Sequence, residues 1–347
     1  MSYPTLSVVR NISVGIVAAS VAEAHVYVGA YRNTNVGVED DTFRCFTVDW
    51  EEIWSCNAGL SPVGIVHHPA GVIALAWGIR KSGGYLYRID SKTGDVVWRR
   101  KLKNPEPLAP TVIRDQVCVV TDHNLASFKI DDGKPVWSYP VDQLSYPAVA
   151  WPERSAVLMG QHNGVITCLD AREGKARWVR KIRGENGIVG RCGDLLFGAG
   201  RGGILHALDP DTGRVVGKAG ARVWSNIVAD GQRLFFQTAH DNEKGYRIGS
   251  VTSEKMEPLW DVDVPLSYGD ATFSPEPLGI VRKQLVVKTS TGPLYAIDVN
   301  KGKLSWQIPV DDLQRLDPQV AVQGVFVVVN GNEIWMQAGE TIYKIGA

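Results

Sequence analysis

Two carboxylates, Asp270 and Asp317, head a set of polar residues that interrupt an otherwise apolar pattern at similar places along the chain. Each stands just before a run that reads as the first strand of a repeating unit. Asn186 and Asn226 hold the matching places in two other units, with Glu185, Trp224 and Tyr268 close by. Arg222 and Arg315 lie near them, and Tyr146 marks the corresponding place in a unit whose first strand starts with small or apolar residues. A desolvated Asp270 or Asp317 would have the raised pKa that a general base needs. With the amide oxygens of Asn186 and Asn226, either could instead help to hold a hard cation. Arg222 and Arg315 could grip a carboxylate or phosphate through paired N–H donors. Trp224, Tyr268 and Tyr146 could wall in a small polar ligand. The plainer reading is that residues near a water-filled axis are polar because water is there.

Other chemistry-bearing residues fall into weaker patterns. His123, His162 and His240 occupy equivalent loops in three units, a spacing that matches no compact metal motif; a turn-supporting role is expected. Cys45, Cys56, Cys118, Cys168 and Cys192 are scattered, with no CxxC pair, and read as reduced buried thiols of a cytoplasmic protein. Gly198 to Gly203 resembles a phosphate-binding glycine run but precedes no helix, so it reads as a hairpin. There is no nucleophile elbow, P-loop, dinucleotide fingerprint or His-Glu-x-x-His. Lys+Arg and Asp+Glu both total 37, so the balanced charge gives no case for nucleic acid or an anionic membrane as partner.

The elements that must position these residues come from a repeat. Its clearest copy is Leu294-Tyr295-Ala296-Ile297-Asp298, then Val299-Asn300-Lys301-Gly302, then Lys303-Leu304-Ser305-Trp306. Sibling copies centre on Asp90/Gly94/Trp98, Asp131/Gly133/Trp137 and Asp170/Gly174/Trp178. Weaker ones sit at Asp49/Trp54, at Asp209/Gly213 with Gly217 where Trp is expected, and at Ser250/Trp260. Successive copies lie roughly 40 residues apart, the period of a propeller blade. Asp side chains bond the backbone two residues on and Gly accepts positive φ, so the links are tight turns. The Trp is expected to fill the wedge between blades. First strands are expected at Gly15, Gly64, Pro110, Pro147, Gly187, Asn226, Asp270 and Pro318, uninterrupted by helix. The last copy, Ile342 to Gly346, lacks a fourth strand, which Thr5 to Asn11 would supply.

The expected fold is therefore all-β: an eight-bladed β-propeller of four-stranded antiparallel blades, residues 1–347 as one domain, closed by the N-terminal strand. This reading also absorbs Val14 to Ala22, an apolar stretch with the look of a signal peptide, as a strand of the first blade. It supports an uncleaved, cytoplasmic, monomeric chain without a membrane span.

The copies at 294–306 and their siblings make the whole chain resemble the quinoprotein-dehydrogenase-like eight-bladed propellers. That group includes the dehydrogenases, the outer-membrane assembly lipoprotein and many stand-alone binding modules. The dehydrogenases bind pyrroloquinoline quinone with Ca²⁺, a stacking Trp and a disulfide between adjacent cysteines. No cysteines are adjacent here, so no cofactor is expected. The lipoprotein needs a lipidated N-terminal Cys, and the first here is Cys45. Two functions stay open. One is an interaction module that presents its loops to a protein partner, helped by the longer segments Tyr31 to Thr42 and Gly331 to Gly339. The other is a cofactor-independent lyase, isomerase or cyclase acting on a polar small molecule, with Asp270 or Asp317 as acid/base, Arg222 or Arg315 as anion holder and Trp224 or Tyr268 as stacking wall.

Overall fold

Thr5–Asn11 forms β1, and its place in the molecule decides how the repeat closes. The computed structural model describes residues 4–12, 14–31, 41–78, 83–142, 144, 146–241, 245–264, 276–289, 293–316 and 325–346. The first blade comprises β2 (Gly15–Ala22), β3 (His25–Tyr31), β4 (Thr42–Thr47) and β5 (Glu52–Asn57); the second, β6 (Ser61–His68), β7 (Gly71–Trp77), β8 (Gly84–Ile89) and β9 (Val96–Leu102). Then come β10 (Thr111–Ile113), β11 (Gln116–Thr121), β12 (Asn124–Lys129) and β13 (Pro135–Pro140), followed by β14 (Val149–Trp151), β15 (Ala156–Gly160), β16 (Val165–Asp170) and β17 (Ala176–Lys181). The fifth blade is β18 (Glu185–Cys192), β19 (Leu195–Arg201), β20 (Gly203–Leu208) and β21 (Val215–Val223); the sixth is β22 (Val228–Ala229), β23 (Arg233–Asp241), β24 (Gly245–Thr252) and β25 (Pro258–Val264). The seventh is β26 (Glu276–Val281), β27 (Gln284–Lys288), β28 (Leu294–Asp298) and β29 (Lys303–Ile308). The eighth has β30 (Phe326–Asn330), β31 (Glu333–Ala338) and β32 (Thr341–Gly346), and β1 pairs with β32 as its fourth strand. The fold is thus an all-β, eight-bladed β-propeller whose ring is closed by β1, as expected.

Strand composition follows position in the blade. Second strands such as β7 and β15 are buried along almost their whole length, because both faces meet neighbouring blades, and they read as continuous apolar runs. Fourth strands such as β9 and β13 are mostly exposed and carry Lys, Arg or Pro, residues that discourage pairing at an open edge. By contact density the chain divides into two compact units. One is Val9–Met159 with Cys168–Arg177; the other is Met1–Val8, Gly160–Thr167 and Trp178–Ala347. The first packs Phe43, Tyr87 and Ile89 in one cluster and Leu75, Leu86 and Phe128 in another. The second packs Phe235, Ile248 and Tyr295, and separately Trp306, Leu313 and Met336.

The repeated Asp, Gly and Trp columns have one joint purpose. Asp90 Oδ1 accepts from the N–H groups of Lys92 (2.8 Å) and Thr93 (2.9 Å), while the Gly94 N–H reaches the Asp90 carbonyl at 3.0 Å. Asp170, Asp209 and Asp298 make the same turn. The turn presents its glycine to the indole of the preceding blade: a Cβ on Gly94, Gly133, Gly174, Gly213 or Gly302 would lie 2.4–3.0 Å from Trp54, Trp98, Trp137, Trp178 or Trp260 respectively. Each indole N–H also donates across the junction, as Trp98 does to the Ile130 carbonyl at 2.7 Å. Trp98→Phe should keep the packing and lose that bond, costing about 0.5–1.5 kcal/mol in denaturant unfolding. A loss beyond about 3 kcal/mol, the size of cavity formation, would show that the ring and not the bond was disturbed.

The strand starts expected at Asp270 and Pro318 lie outside the described residues; in those blades the described first strands run from Glu276 and Phe326. Two other expectations change. Gly331 to Gly339 is not an enlarged loop: it contains β31, with Trp335 and Met336 buried in the blade. One connection carries a seven-residue helix, α1 (Val310–Leu316), anchored by buried Leu313. A 3₁₀ turn at Pro152–Arg154 follows β14. The enlarged loop expected over 31–42 lies mostly outside the described residues.

Candidate functional site

Several residues expected at strand starts turn out to splice blades together. β18 begins with a bulge between Glu185 and Gly187, and Asn186 takes a left-handed φ of 51° there. This geometry lets the Asn186 and Gly187 N–H groups donate to the His162 and Gln161 carbonyls at 2.7 and 2.8 Å. Glu185 is exposed and registers opposite Arg201. Trp224 follows β21; its N–H donates to the Gln237 carbonyl at 3.0 Å, and its half-buried ring covers Gly202, where a Cβ would come within 3.0 Å of Cη2. The Ser225 hydroxyl donates to the Asn226 carbonyl and accepts from the Gln237 N–H. Asn226 Nδ2 donates to the Pro277 carbonyl at 3.1 Å, while its buried Oδ1 has no partner among the described residues.

The expected half-ring is therefore assembled only in part. Arg222 stands near the end of β21, and Trp224 and Asn226 lie on the connection that follows it into the sixth blade. Arg315 is on α1, exposed and paired with Asp312 at 2.7 Å. Tyr146 is half-buried in the unit that contains Val9–Met159. Asp270, Tyr268 and Asp317 lie outside the described residues. The histidines serve as turn supports through their backbone: the His123 carbonyl accepts from Val141 and that of His162 from Asn186. The side chain of His240 falls outside the description. Among the described residues no group of His, Cys, Asp and Glu could hold a metal ion.

A cleft of about 450 Å³ opens between the fifth and sixth blades, and it includes one expected residue, Arg222. Opposite, Arg247 donates through Nε to Asp263 at 2.6 Å and through Nη1 to Asp261 at 3.2 Å. Asp261 Oδ1 also accepts from the Thr238 hydroxyl at 2.6 Å. The strand between them carries Gly249, where a Cβ would lie 2.3 Å from Thr238 Cγ2, so glycine is what lets this polar trio close over β24. Sequence reasoning missed Thr238, Arg247 and Asp261, which sit inside strands and not at their starts. The available signal was the break in the Trp column at Gly217.

None of the five cysteines is in a disulfide. Burial pushes the thiols of Cys45 and Cys118 up to about 12 and that of Cys56 up to about 11. At pH 8 these three are protonated, and alkylation resolved by peptide mass should leave them unmodified in the native protein and label them in denaturant. Rapid native labelling of Cys118 would contradict this packing.

The chain matches the family described as outer membrane protein assembly factor BamB (PQQ_2) over residues 44–189 and 162–343. Among curated relatives, the assembly factor of Escherichia coli (strain K12) is 24% identical over 308 residues, 81% of this chain and 75% of the relative. That of Burkholderia pseudomallei (strain K96243) is 25% identical over 182 residues, 48% of this chain and 47% of the relative, so this match spans about half the relative's length. In three dimensions the chain resembles BamB from Moraxella catarrhalis, with a TM-score of 0.70 and 16% identity over 99% of this chain and 98% of that one. It also resembles the quinohemoprotein alcohol dehydrogenase of Comamonas testosteroni, with a TM-score of 0.66 and 11% identity over 100% of this chain and 77% of that one. At such identities the structures speak for the fold alone. The relatives correct the cytoplasmic placement, because they are named for assembly at the outer membrane. The misleading inference ran from strand β2 and reduced thiols to a compartment. A strand at 15–22 and buried cysteines report packing, and packing is the same on either side of a membrane. No described helix is long and apolar enough to cross one. With both halves of its repeat array matched, the chain belongs to the PQQ_2 propeller family of BamB.

Proposed function

We propose that this chain is a binding scaffold in the assembly of outer membrane proteins, holding a protein partner on its loops and blade edges. The observation that carries the reading is the family match across residues 44–343. The described chemistry agrees with it. Asn186 and Trp224 join blades through their backbone N–H groups and Asn226 through its Nδ2, while Arg222, Arg247 and Leu259 stay accessible around the cleft. The enzymatic alternative rests on Asp270 and Asp317 and draws on no observation among the described residues.

Deleting the chain from its own organism tests the proposal. The expected result is a fall in folded β-barrel proteins in the outer membrane fraction, restored by the wild-type chain. An unchanged outer membrane profile would overturn it.

A further inference from the structure

We infer that the cleft between the fifth and sixth blades is a docking groove for an extended acidic polypeptide segment that places a carboxylate beside an apolar side chain. The inference rests on the proposed scaffold function and names the partner chemistry of one surface.

Shape is the first argument. The lining runs along β24 from Arg247 to Val251, a span of about 13 Å at ~3.3 Å per residue. With a volume of about 450 Å³, this is room for some four residues of extended chain and more than a lone small carboxylate fills. The wall formed by β21 is low for a local reason. The β20–β21 register passes from Ile204↔Arg222 to His206↔Lys218, so Leu205 alone faces Ala219, Gly220 and Ala221. A Cβ on Gly220 would meet no atom within 4 Å. Three residues earlier on the same strand stands Gly217, where other fourth strands carry their sealing indole.

Charge is the second argument. Asp261 and Asp263 are both engaged with Arg247, and Asp261 also takes the Thr238 hydroxyl. Arg222 lines the same cleft, and its guanidinium has no hydrogen-bond or ion-pair partner among the described residues. An accessible guanidinium of this kind recognises a carboxylate by paired N–H donors. Pro258 and Leu259 lie further along, with Leu259 46% exposed, and offer an apolar contact to the segment's next side chain.

The purified full chain is titrated against fluorescein-labelled, amidated heptapeptides that alternate Leu with Asp, Asn or Lys, followed by anisotropy. The Leu/Asp peptide is expected to bind saturably and at least tenfold tighter than the Leu/Asn peptide. Arg222→Glu should weaken it at least tenfold and turn the preference toward the Leu/Lys peptide. Gly220→Phe should abolish binding with an unchanged melting curve, and Lys92→Glu, on the exposed Asp90 turn of the second blade, should leave it as in the parent. Equal binding of the Asp and Asn peptides, or an unaffected Arg222→Glu variant, would overturn the groove. So would full competition by N-acetyl-aspartate at the peptide's own concentrations, since the site would then take a lone carboxylate. If no peptide binds while gene deletion still depletes outer membrane proteins, the groove falls and the scaffold reading stands. If deletion leaves those proteins unchanged, the scaffold reading falls whatever the peptides do.

Discussion

Gly217→Trp alone is expected to destabilise the protein, and Met256→Gly alone to do the same, yet the two together should return it close to the parent. Five junctions seat an indole from one blade on a glycine of the next. At the junction of the fifth and sixth blades the partners are exchanged. Gly217 stands where the indole belongs, and Met256 stands where the glycine belongs, with the same turn hydrogen bond (Met256 N–H to Thr252 carbonyl, 3.0 Å) and a left-handed φ of 59°. Met256 is buried, and a Cβ on Gly217 would lie 3.9 Å from its Sδ, so the thioether reaches back into the space an indole would take. A Trp added at 217 must therefore compete with Met256 for one volume, and overpacking typically costs about 1–3 kcal/mol. Removing Met256 leaves a cavity worth about 2–5 kcal/mol, less the roughly 1 kcal/mol recovered by putting glycine at positive φ. The double variant rebuilds the arrangement used elsewhere, and a coupling of about 2–3 kcal/mol is expected from a double-mutant cycle in guanidinium. Additive losses would mean that the two residues do not share a volume.

That exchange also shows what was legible in the sequence. The break at Gly217 was visible, but a one-dimensional pattern shows a missing Trp as a weak copy and cannot show Met256 filling the gap from another blade. The column of Trp, Gly and Asp gave the number of blades, the wedge packing and the completion of the last blade by Thr5–Asn11, because those features depend on contacts that recur at fixed spacing. Positions where copies differ were harder. Asp270 and Pro318 were placed at first strands on a repeat of constant length; both lie outside the described residues, and the helix α1, which the repeat did not foretell, shows that the connections vary. Asn186 and Asn226 depart from the apolar pattern. Asn186 holds a left-handed φ of 51° at a bulge and Asn226 donates through Nδ2 to the Pro277 carbonyl, demands that sequence alone does not distinguish from ligand binding. Thr238, Arg247 and Asp261 stayed hidden because alternation on an outer strand predicts polar residues there whether or not they meet.

Gly160→Ala should be severely damaging where the fourth blade meets the fifth, although Gly160 has no unusual backbone angle. It ends β15, and a Cβ there would lie 1.9 Å from the Gly187 carbonyl oxygen and 2.4 Å from its carbon. The obstacle is backbone and cannot rotate away. To reach an ordinary contact of about 3.4 Å the two chains must part by more than an ångström, and this stretches the bonds from Gly187 and Asn186 to Gln161 and His162 (2.8 and 2.7 Å) beyond hydrogen-bonding distance. Losing the buried Gly187–Gln161 bond with its groups unsatisfied costs about 1–3 kcal/mol and losing the more exposed Asn186–His162 bond about 0.5–1.5 kcal/mol, so with the strain of parting the two chains a total above about 3 kcal/mol is expected. Gly193→Ala is the control. It sits in the turn before β19 at a left-handed φ of 59° with no atom within 4 Å of a Cβ, so only the backbone penalty of about 1–2 kcal/mol applies. The ordering reverses what glycine conformation alone would predict, and chemical unfolding of both variants measures it. Because Asn186 hangs on the same pair of bonds, Gly160→Ala should also increase amide hydrogen exchange at residues 185–187, which Gly193→Ala should leave protected. A Gly160→Ala variant as stable as Gly193→Ala would mean that the fourth and fifth blades do not approach backbone to backbone.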